Sequence, residues 1–315
     1  MIISENYLDP DVAYFLGLIV ARGTLHESSG DKKIIIEFPY KSLQAKGITK
    51  EYVQEDHLFY SITQIKERLQ ELTEADISIN QQGHSYALII RFLRNSLVWR
   101  NSNYLLKGSK SYYDFLVPQQ IFLADTVIQK EFIRGIADCA GFIRESNNYM
   151  GGKRRVYLEI SNKNWILPIQ ICELLQKYLE VPVQLIQWGH PNTREPKQIK
   201  KRTWAREHQI KIFAEAFKKV GFYVKYKQEI LDDFVTADQK ISGKINICNP
   251  YPPIRRITKK PKHPEEKSPL IHPKLRGKHY NAYWQICVDL GCNQCIKIPK
   301  KQLSLLKEVE DVVED

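Results

Sequence analysis

The chain has 315 residues, 43% hydrophobic and 11% aromatic, which is enough to bury a core and excludes wholesale disorder. Lys and Arg number 47 against 36 Asp and Glu, and this net charge of +11 favours an anionic partner, most often a nucleic acid. Because the first ten residues are polar, we expect no leader peptide, and the apolar run at residues 13–21 is far shorter than the roughly 20 residues of a membrane span. We therefore expect an intracellular protein (cytoplasm, nucleoid or organelle) without membrane contact, whose six cysteines are thiols or metal ligands.

Two segments of the chain resemble each other. Residues 14–25 have the sequence YFLGLIVARGTL, and residues 132–143 have the sequence FIRGIADCAGFI. Gly17 aligns with Gly135 and Gly23 with Gly141, both at an offset of 118 residues (135 − 17 and 141 − 23). A repeat of this length predicts two copies of one α/β unit.

The first copy is predicted to contain a helix, a strand, a second helix and a hairpin. Asp9 and Pro10 suit a helix start, and Gly23 suits its end. Apolar residues at a helical period mark the second helix, and Gly83 interrupts the hairpin. We place these elements at residues 9–23, 33–38, 56–72 and 77–93, with a closing segment at residues 104–118.

The second copy is predicted to follow the same order. We place its helices at residues 124–141, 165–179 and 210–221, and its strands at residues 155–160, 183–188 and 201–206. Beyond about residue 243 the chain becomes rich in Pro and Lys, which indicates an extended linker. The predicted organisation is a first half at residues 1–122, a second half at residues 123–243, and a linker with a Cys-containing extension at residues 244–315.

Small residues form one stripe on each repeat helix, at Ala13, Gly17 and Ala21 in the first and at Gly135 and Cys139 in the second. Such a stripe lets two helix backbones approach closely. Residues 16–23 and 134–141 resemble the two motifs of the LAGLIDADG homing endonuclease family, and the flanks at residues 115–118 and 213–222 are similar as well. The resemblance covers about residues 7–235.

The resemblance implies an α+β fold of two pseudo-symmetric αββαββα halves that form a DNA-binding saddle, plus a small C-terminal extension. The motif helices would pack at the centre of a monomer, and the sheets would enter the major groove of double-stranded DNA. Polar and basic residues cluster in both predicted sheets. The candidates for DNA contact are Lys32, Lys33, Tyr40, Lys41, His84, Tyr86, Arg91, Arg94, Lys153, Arg154, Arg155, Tyr157, Arg194, Lys197, Lys200, Lys201 and Arg202.

The family's catalytic acids are missing. Its members hold divalent cations such as Mg²⁺ with one acidic residue at the end of each motif helix, and the matching positions here are Arg22 and Ala140. Asp138 lies two residues earlier, about 200° around the helix. We expect Arg22 to point at the backbone of the central base pairs. The nearest matches to the family's basic residues beside the scissile phosphate are Lys107, Lys110, Lys225 and Lys227.

A Cys-x-x-Cys motif occurs near the end of the chain. Cys292 and Cys295, with Cys287 and either Cys248 or His279, would complete four ligands for structural Zn²⁺. The alternative is a hairpin with reduced thiols. Cys139 and Cys172 lie on apolar helix faces and are expected in the core.

The sequence favours a sequence-specific double-stranded DNA-binding protein of endonuclease descent with weak or no cleavage. One alternative is an active endonuclease that uses displaced acidic residues and Mg²⁺. A second alternative is an intron maturase that binds structured RNA.

Overall fold

The computed structural model describes residues 7–28, 31–43, 55–83, 85–144, 154–161, 163–164, 166–192 and 205–238. The predicted linker, the Cys-containing extension and the proposed zinc ligands lie outside these residues. Of the helices in the described ranges, none is both long and apolar enough to cross a membrane.

The first half of the fold contains one antiparallel sheet with strand order β1-β2-β4-β3. Its elements are α1 (Pro10–Arg22), β1 (Gly23–Glu27), β2 (Lys32–Pro39), α2 (Tyr40–Leu43), α3 (Glu55–Thr73), β3 (Asp76–Gln82), β4 (Ser85–Phe92) and α4 (Leu97–Leu105). The hairpin turn between β3 and β4 includes Gly83, whose φ of +54° lies in the left-handed region that favours glycine.

The second half repeats this arrangement after a short helix α5 (Gln119–Leu123). Its elements are α6 (Thr126–Ala140), β5 (Gly141–Arg144), β6 (Arg155–Ser161), α7 (Ile166–Glu173) with a π-helical turn (Leu174–Tyr178), β7 (Val183–Asn192), β8 (Ala205–Phe213), α8 (Ala214–Phe217) and α9 (Lys225–Asp238). The strand order β5-β6-β8-β7 matches that of the first sheet. The predicted fold of two αββαββα halves is therefore confirmed.

The two repeat helices begin and end in the same way. Asp9 accepts a hydrogen bond from the backbone N–H of Val12 at 2.7 Å, and Asp125 caps α6 through two backbone N–H groups. Gly23 and Gly141 end the helices with extended backbones, which any residue adopts. Glycine is required at both positions because there is no room for a side chain. A Cβ on Gly23 would lie 2.7 Å from Ile19, and one on Gly141 would lie 2.4 Å from the carbonyl oxygen of Ala137.

Helices α1 and α6 cross at Gly17 and Gly135. A Cβ on Gly17 would lie 2.1 Å from the carbonyl oxygen of Phe132, and a Cβ on Gly135 would lie 2.1 Å from that of Tyr14. Both contacts are therefore related by the 118-residue offset of the repeat (135 − 17 and 132 − 14). The crossing joins the halves about a pseudo-two-fold axis, and its backbone contact excludes any larger side chain.

The C-terminal part of β8 differs from the predicted helix. Residues 210–221 were predicted to be a helix, but the strand continues to Phe213 and only Ala214–Phe217 is helical there. Ile210 and Ile212 lie in the core while Lys211 between them pairs with Tyr157 on the opposite face, and this alternation of faces fits a strand. The short strands β1 and β5 directly after the glycines were also not predicted, because neither has a long alternating pattern of its own.

Candidate nucleic-acid interface

Each sheet has one apolar face in the core and an opposite face, called here the outer face. In the first sheet Leu25, Ile34, Ile36, Leu88 and Ile90 are buried. The outer face includes two cross-strand rows. One row consists of His26, Lys33, Arg91 and Asp76, and the other consists of Thr24, Ile35, Ile89 and Ser78. The exposed, polar character of most of this face suits contact with a hydrated, charged partner.

The outer face of the second sheet is more buried and more basic. Its rows place Arg144 beside Arg155 and Phe213, and Phe142 beside Tyr157 and Lys211. A third row pairs Glu159 with Gln209 and Gln187. Arg155, Tyr157, Glu159 and Gln209 are buried, and Arg144 is exposed.

Arg22, at the end of α1, is buried and paired across the two halves. Its Nη2 donates to Oε1 of Glu207 on β8 at 2.8 Å and lies 3.5 Å from the carbonyl oxygen of Glu159. Burial by itself lowers the pKa of Arg22, but Glu207 outweighs that effect and the net shift is upward, so the side chain stays charged. The expectation that Arg22 points at a duplex backbone is wrong for this structure, because its charge is already neutralised inside the protein.

The two helix ends are unsuited to a divalent cation. Ala140 is buried and has no ligand atom, and Arg22 puts a positive charge at the equivalent position. Glu37 and Glu159 are carboxylates at equivalent strand positions of the two halves. Each directly follows the residue that pairs with the glycine at the end of a repeat helix. However, no group of three or more His, Cys, Asp or Glu residues within the described ranges is arranged to hold a metal ion. The residues present therefore do not fit the family's metal site.

Asp138 is held beneath the helix pair rather than at its end. It is fully buried and accepts hydrogen bonds from the hydroxyl of Tyr14 and the backbone N–H of Tyr223, both at 3.0 Å. Burial raises the pKa of Asp138, with Lys227 and these hydrogen bonds opposing the shift. The Asp138 side chain therefore links α6 to α1 and to the segment before α9. Because it is fully buried, a phosphodiester cannot contact it in this structure.

The four candidate phosphate lysines are not equivalent. Lys227 is buried, and its Nζ donates to the carbonyl oxygens of Ala137, Asp138 and Gly141 at 2.9, 3.1 and 2.8 Å. It therefore caps the end of α6, which does not support its assignment to a scissile phosphate. Lys107, Lys110 and Lys225 are exposed, and Lys110 donates to the side chain of Asn103 at 2.8 Å.

Two of the candidate DNA-contact residues lie in the core. Tyr86 is on the apolar face of β4 and packs against Tyr40 and Phe59, because the register of β4 turns its even-numbered residues inward. Arg154 is buried and forms an ion pair with Asp238 at 2.7 Å. Both side chains are therefore engaged within the protein, and their contact with DNA stays a prediction.

The remaining candidates fall into three groups. Lys32, Lys33, Arg91 and Arg94 lie at the edge or outer face of the first sheet, and Tyr40 is half-buried at the opposite end of β2. Arg155 and Tyr157 lie on the outer face of the second sheet. The structure does not describe His84, Lys153, Arg194, Lys197, Lys200, Lys201, Arg202 or the side chain of Lys41.

The sequence reasoning missed Arg144, Phe142, Lys211 and Glu207. Arg144 was detectable, since it follows Gly141 by three residues as His26 follows Gly23. Lys211 was hidden because its strand was predicted to be a helix. Glu207 had no local signal at all.

No known family profile matches this chain, and no curated protein does either. Among solved structures it is similar to a variant of the homing endonuclease I-DmoI in complex with its target DNA and in the presence of Mn, with 18% identity and a TM-score of 0.36 over 67% of this chain and 90% of the other. It is also similar to full-length DUF199/WhiA from Thermatoga maritima, with 15% identity and a TM-score of 0.43 over 78% and 66%. The N-terminal LAGLIDADG domain of DUF199/WhiA matches with 12% identity and a TM-score of 0.37 over 71% and 82%. With its two αββαββα halves joined at a glycine-to-glycine helix crossing, this chain has a LAGLIDADG-like fold, as its motifs predicted.

Proposed function

We propose that this protein binds double-stranded DNA through the outer faces of its two sheets and does not cleave it. Two strand pairs related by a pseudo-two-fold axis suit the two adjacent stretches of major groove in a duplex. The surplus of 11 positive charges supports a polyanionic partner. The DNA in the complex of the similar endonuclease agrees with this proposal. We further propose that residues 1–122 and 123–243 form the two halves and that residues 244–315 form an extension. The protein is proposed to be a monomer.

The Arg22–Glu207 ion pair carries the second part of the proposal. Phosphodiester cleavage of this kind needs a hard cation at the helix ends, where it activates water and stabilises the leaving oxygen. Here the guanidinium of Arg22 fills one equivalent position and Ala140 fills the other. The carboxylate of Glu207, in the second half, forms an ion pair with Arg22. Without a metal site among the described residues, the duplex is bound but not hydrolysed.

The binding experiment begins with selection of bound duplexes from a random pool, with and without Mg²⁺. Fluorescence anisotropy on a selected duplex then gives the affinity at several salt concentrations. We expect log affinity to fall with log salt at a slope of about −0.9 per phosphate neutralised. An affinity independent of salt would refute duplex binding through phosphates.

The cleavage experiment uses a supercoiled plasmid that carries the selected site, in Mg²⁺ or Mn²⁺. We expect no nicking and no linear product. Robust cleavage that Asp138→Asn abolishes would overturn the proposal and favour an endonuclease with displaced acids. Stronger binding to structured RNA than to the selected duplex would instead favour the maturase alternative.

A further inference from the structure

Three cations lie together on the outer face of the second sheet. Arg144 on β5 is the direct cross-strand neighbour of Arg155 on β6, and Lys211 on β8 is the direct neighbour of Tyr157, two residues further along β6. We call Arg144, Arg155 and Lys211 the second-sheet cation cluster. Directly opposed like charges on a sheet are destabilising, so an anion bound between Arg144 and Arg155 would relieve their repulsion.

The second-sheet cation cluster surrounds a rigid aromatic base. The rings of Phe142 and Tyr157 stack with centroids 5.0 Å apart and planes inclined by 8°. The guanidinium of Arg144 lies 4.5 Å from the Tyr157 ring centroid, and Nζ of Lys211 lies 5.5 Å from the same centroid. Both charges therefore lie against one buried ring, with Arg144 also exposed to solvent.

Arg155 is the least satisfied member of the cluster. Its side chain is buried, with the residue 6% exposed, and its Nε and Nη2 are buried atoms without a hydrogen-bond partner. A buried donor without a partner costs about 1–3 kcal/mol, and more when it carries charge. Within the described residues no carboxylate forms an ion pair with Arg144, Arg155 or Lys211, and the side chain of Lys211 donates only to the neutral amide of Gln187.

The equivalent region of the first sheet is neutralised by the protein itself. Lys33 occupies the strand position equivalent to Arg155, and it lies 3.4 Å from a carboxylate oxygen of Asp31. Arg91, in the same row, lies 3.7 Å from a carboxylate oxygen of Asp76. The two halves thus differ within the described residues, since acids form ion pairs with the cations of the first sheet and no described acid does so with those of the second.

We propose that the second-sheet cation cluster is a binding site for a phosphate group, with Arg155 at its base and Arg144 and Lys211 at its sides. A tetrahedral anion accepts from several donors at once, and a guanidinium offers two parallel N–H groups to it. Burial, and then the neighbouring charges of Arg155 and Arg144, lower the pKa of Lys211 to about 8, and a bound anion would oppose this shift. In the duplex complex, and resting on the proposed function, the occupant is one backbone phosphate that anchors the second half.

The first experiment uses inorganic phosphate alone, with ionic strength held constant by NaCl. We expect phosphate to raise the Tm of the full chain and to have much less effect on Arg155→Gln. Lys33→Gln is the matched control, because it removes one charge from the equivalent strand position, and it should respond as the unmodified chain does. Arg144→Gln, at an exposed position that folding tolerates, should weaken the response in the same direction as Arg155→Gln.

The second experiment measures duplex affinity and its salt dependence for the same variants. Arg155→Gln should bind about tenfold more weakly or worse, as expected for loss of one charge-assisted contact, and its salt slope should be smaller by about 0.9. Lys33→Gln should lose less affinity, since its charge is shared with Asp31.

The outcomes separate this inference from the proposed function. If phosphate stabilises the chain through Arg155 but no duplex binds, the phosphate site stands and the DNA-binding proposal fails. If duplex binds while phosphate has no effect on Tm and Arg155→Gln and Lys33→Gln weaken binding equally, the phosphate site is overturned and DNA binding stands.

Discussion

Replacing Arg22 with Met is expected to destabilise the protein strongly. The Arg22 and Glu207 side chains are 8% and 7% exposed and 2.8 Å apart, so Arg22→Met removes the Arg22 side of a buried ion pair. Breaking a buried ion pair from one side costs about 3–5 kcal/mol of unfolding free energy. For a domain of 150–250 residues each kcal/mol changes Tm by roughly 2–4 °C, so the expected loss is roughly 6–20 °C.

A double-mutant cycle in urea tests the reasoning. Glu207→Leu combined with Arg22→Met removes both charges, so the double variant should recover much of the stability that either single variant loses. Lys110→Met is the surface control, because Lys110 and Glu27 form an exposed pair at 3.5 Å and such pairs contribute about 0–1 kcal/mol. If Arg22→Met costs no more than Lys110→Met, or if the single losses simply add, the pair does not stabilise the fold as argued.

Three further predictions concern packing, protonation and assembly. Gly17→Ala places a Cβ 2.1 Å from the carbonyl of Phe132, so it should cost about 1–3 kcal/mol or more in urea unfolding, and an unchanged midpoint would contradict the close helix crossing. Burial and the neighbouring Arg155 and Arg144 lower the pKa of Lys211 to about 8, against about 10.4 in an unfolded chain, so the folded protein loses this proton first. The contribution of Lys211 to stability therefore rises between about pH 8 and 10.4, and the Tm difference between Lys211→Met and the unmodified chain should change across that range in favour of the unmodified chain, whereas a constant difference would argue against the shift. Both repeat helices belong to one chain, so light scattering at micromolar concentration should show a monomer, and an obligate dimer would refute this expectation.

Local sequence signals predicted the framework of both halves. The capping residues Asp9 and Asp125 and the glycines at the helix ends act within one helical turn, so their effect can be read without knowledge of the rest of the chain. The shared 118-residue register of the glycines also predicted that α1 and α6 would meet, because small residues on both helices are needed for close approach.

Strand faces were harder to predict than strand positions. A one-residue change of register moves every side chain of a strand to the opposite face. Tyr86 looked like part of a polar hairpin but lies on the core face, and Arg154 lies beside a surface strand but is buried against Asp238. At β8 the local pattern was read as helical, while pairing with β6 and β7 keeps Lys211 on the outer face.

The sequence by itself determined that the chain has two related halves, where their helices end, and that the residues expected to bind metal are replaced by Arg22 and Ala140. Only the tertiary structure decided where Arg22 points, since its partner Glu207 lies 185 residues further along the chain. Likewise, it was the sheet pairing that brought Arg144, Arg155 and Lys211 together from three strands. Helix capping acts between near neighbours in sequence, whereas these ion pairs and charge clusters act between neighbours in space, which exist only once the chain has folded.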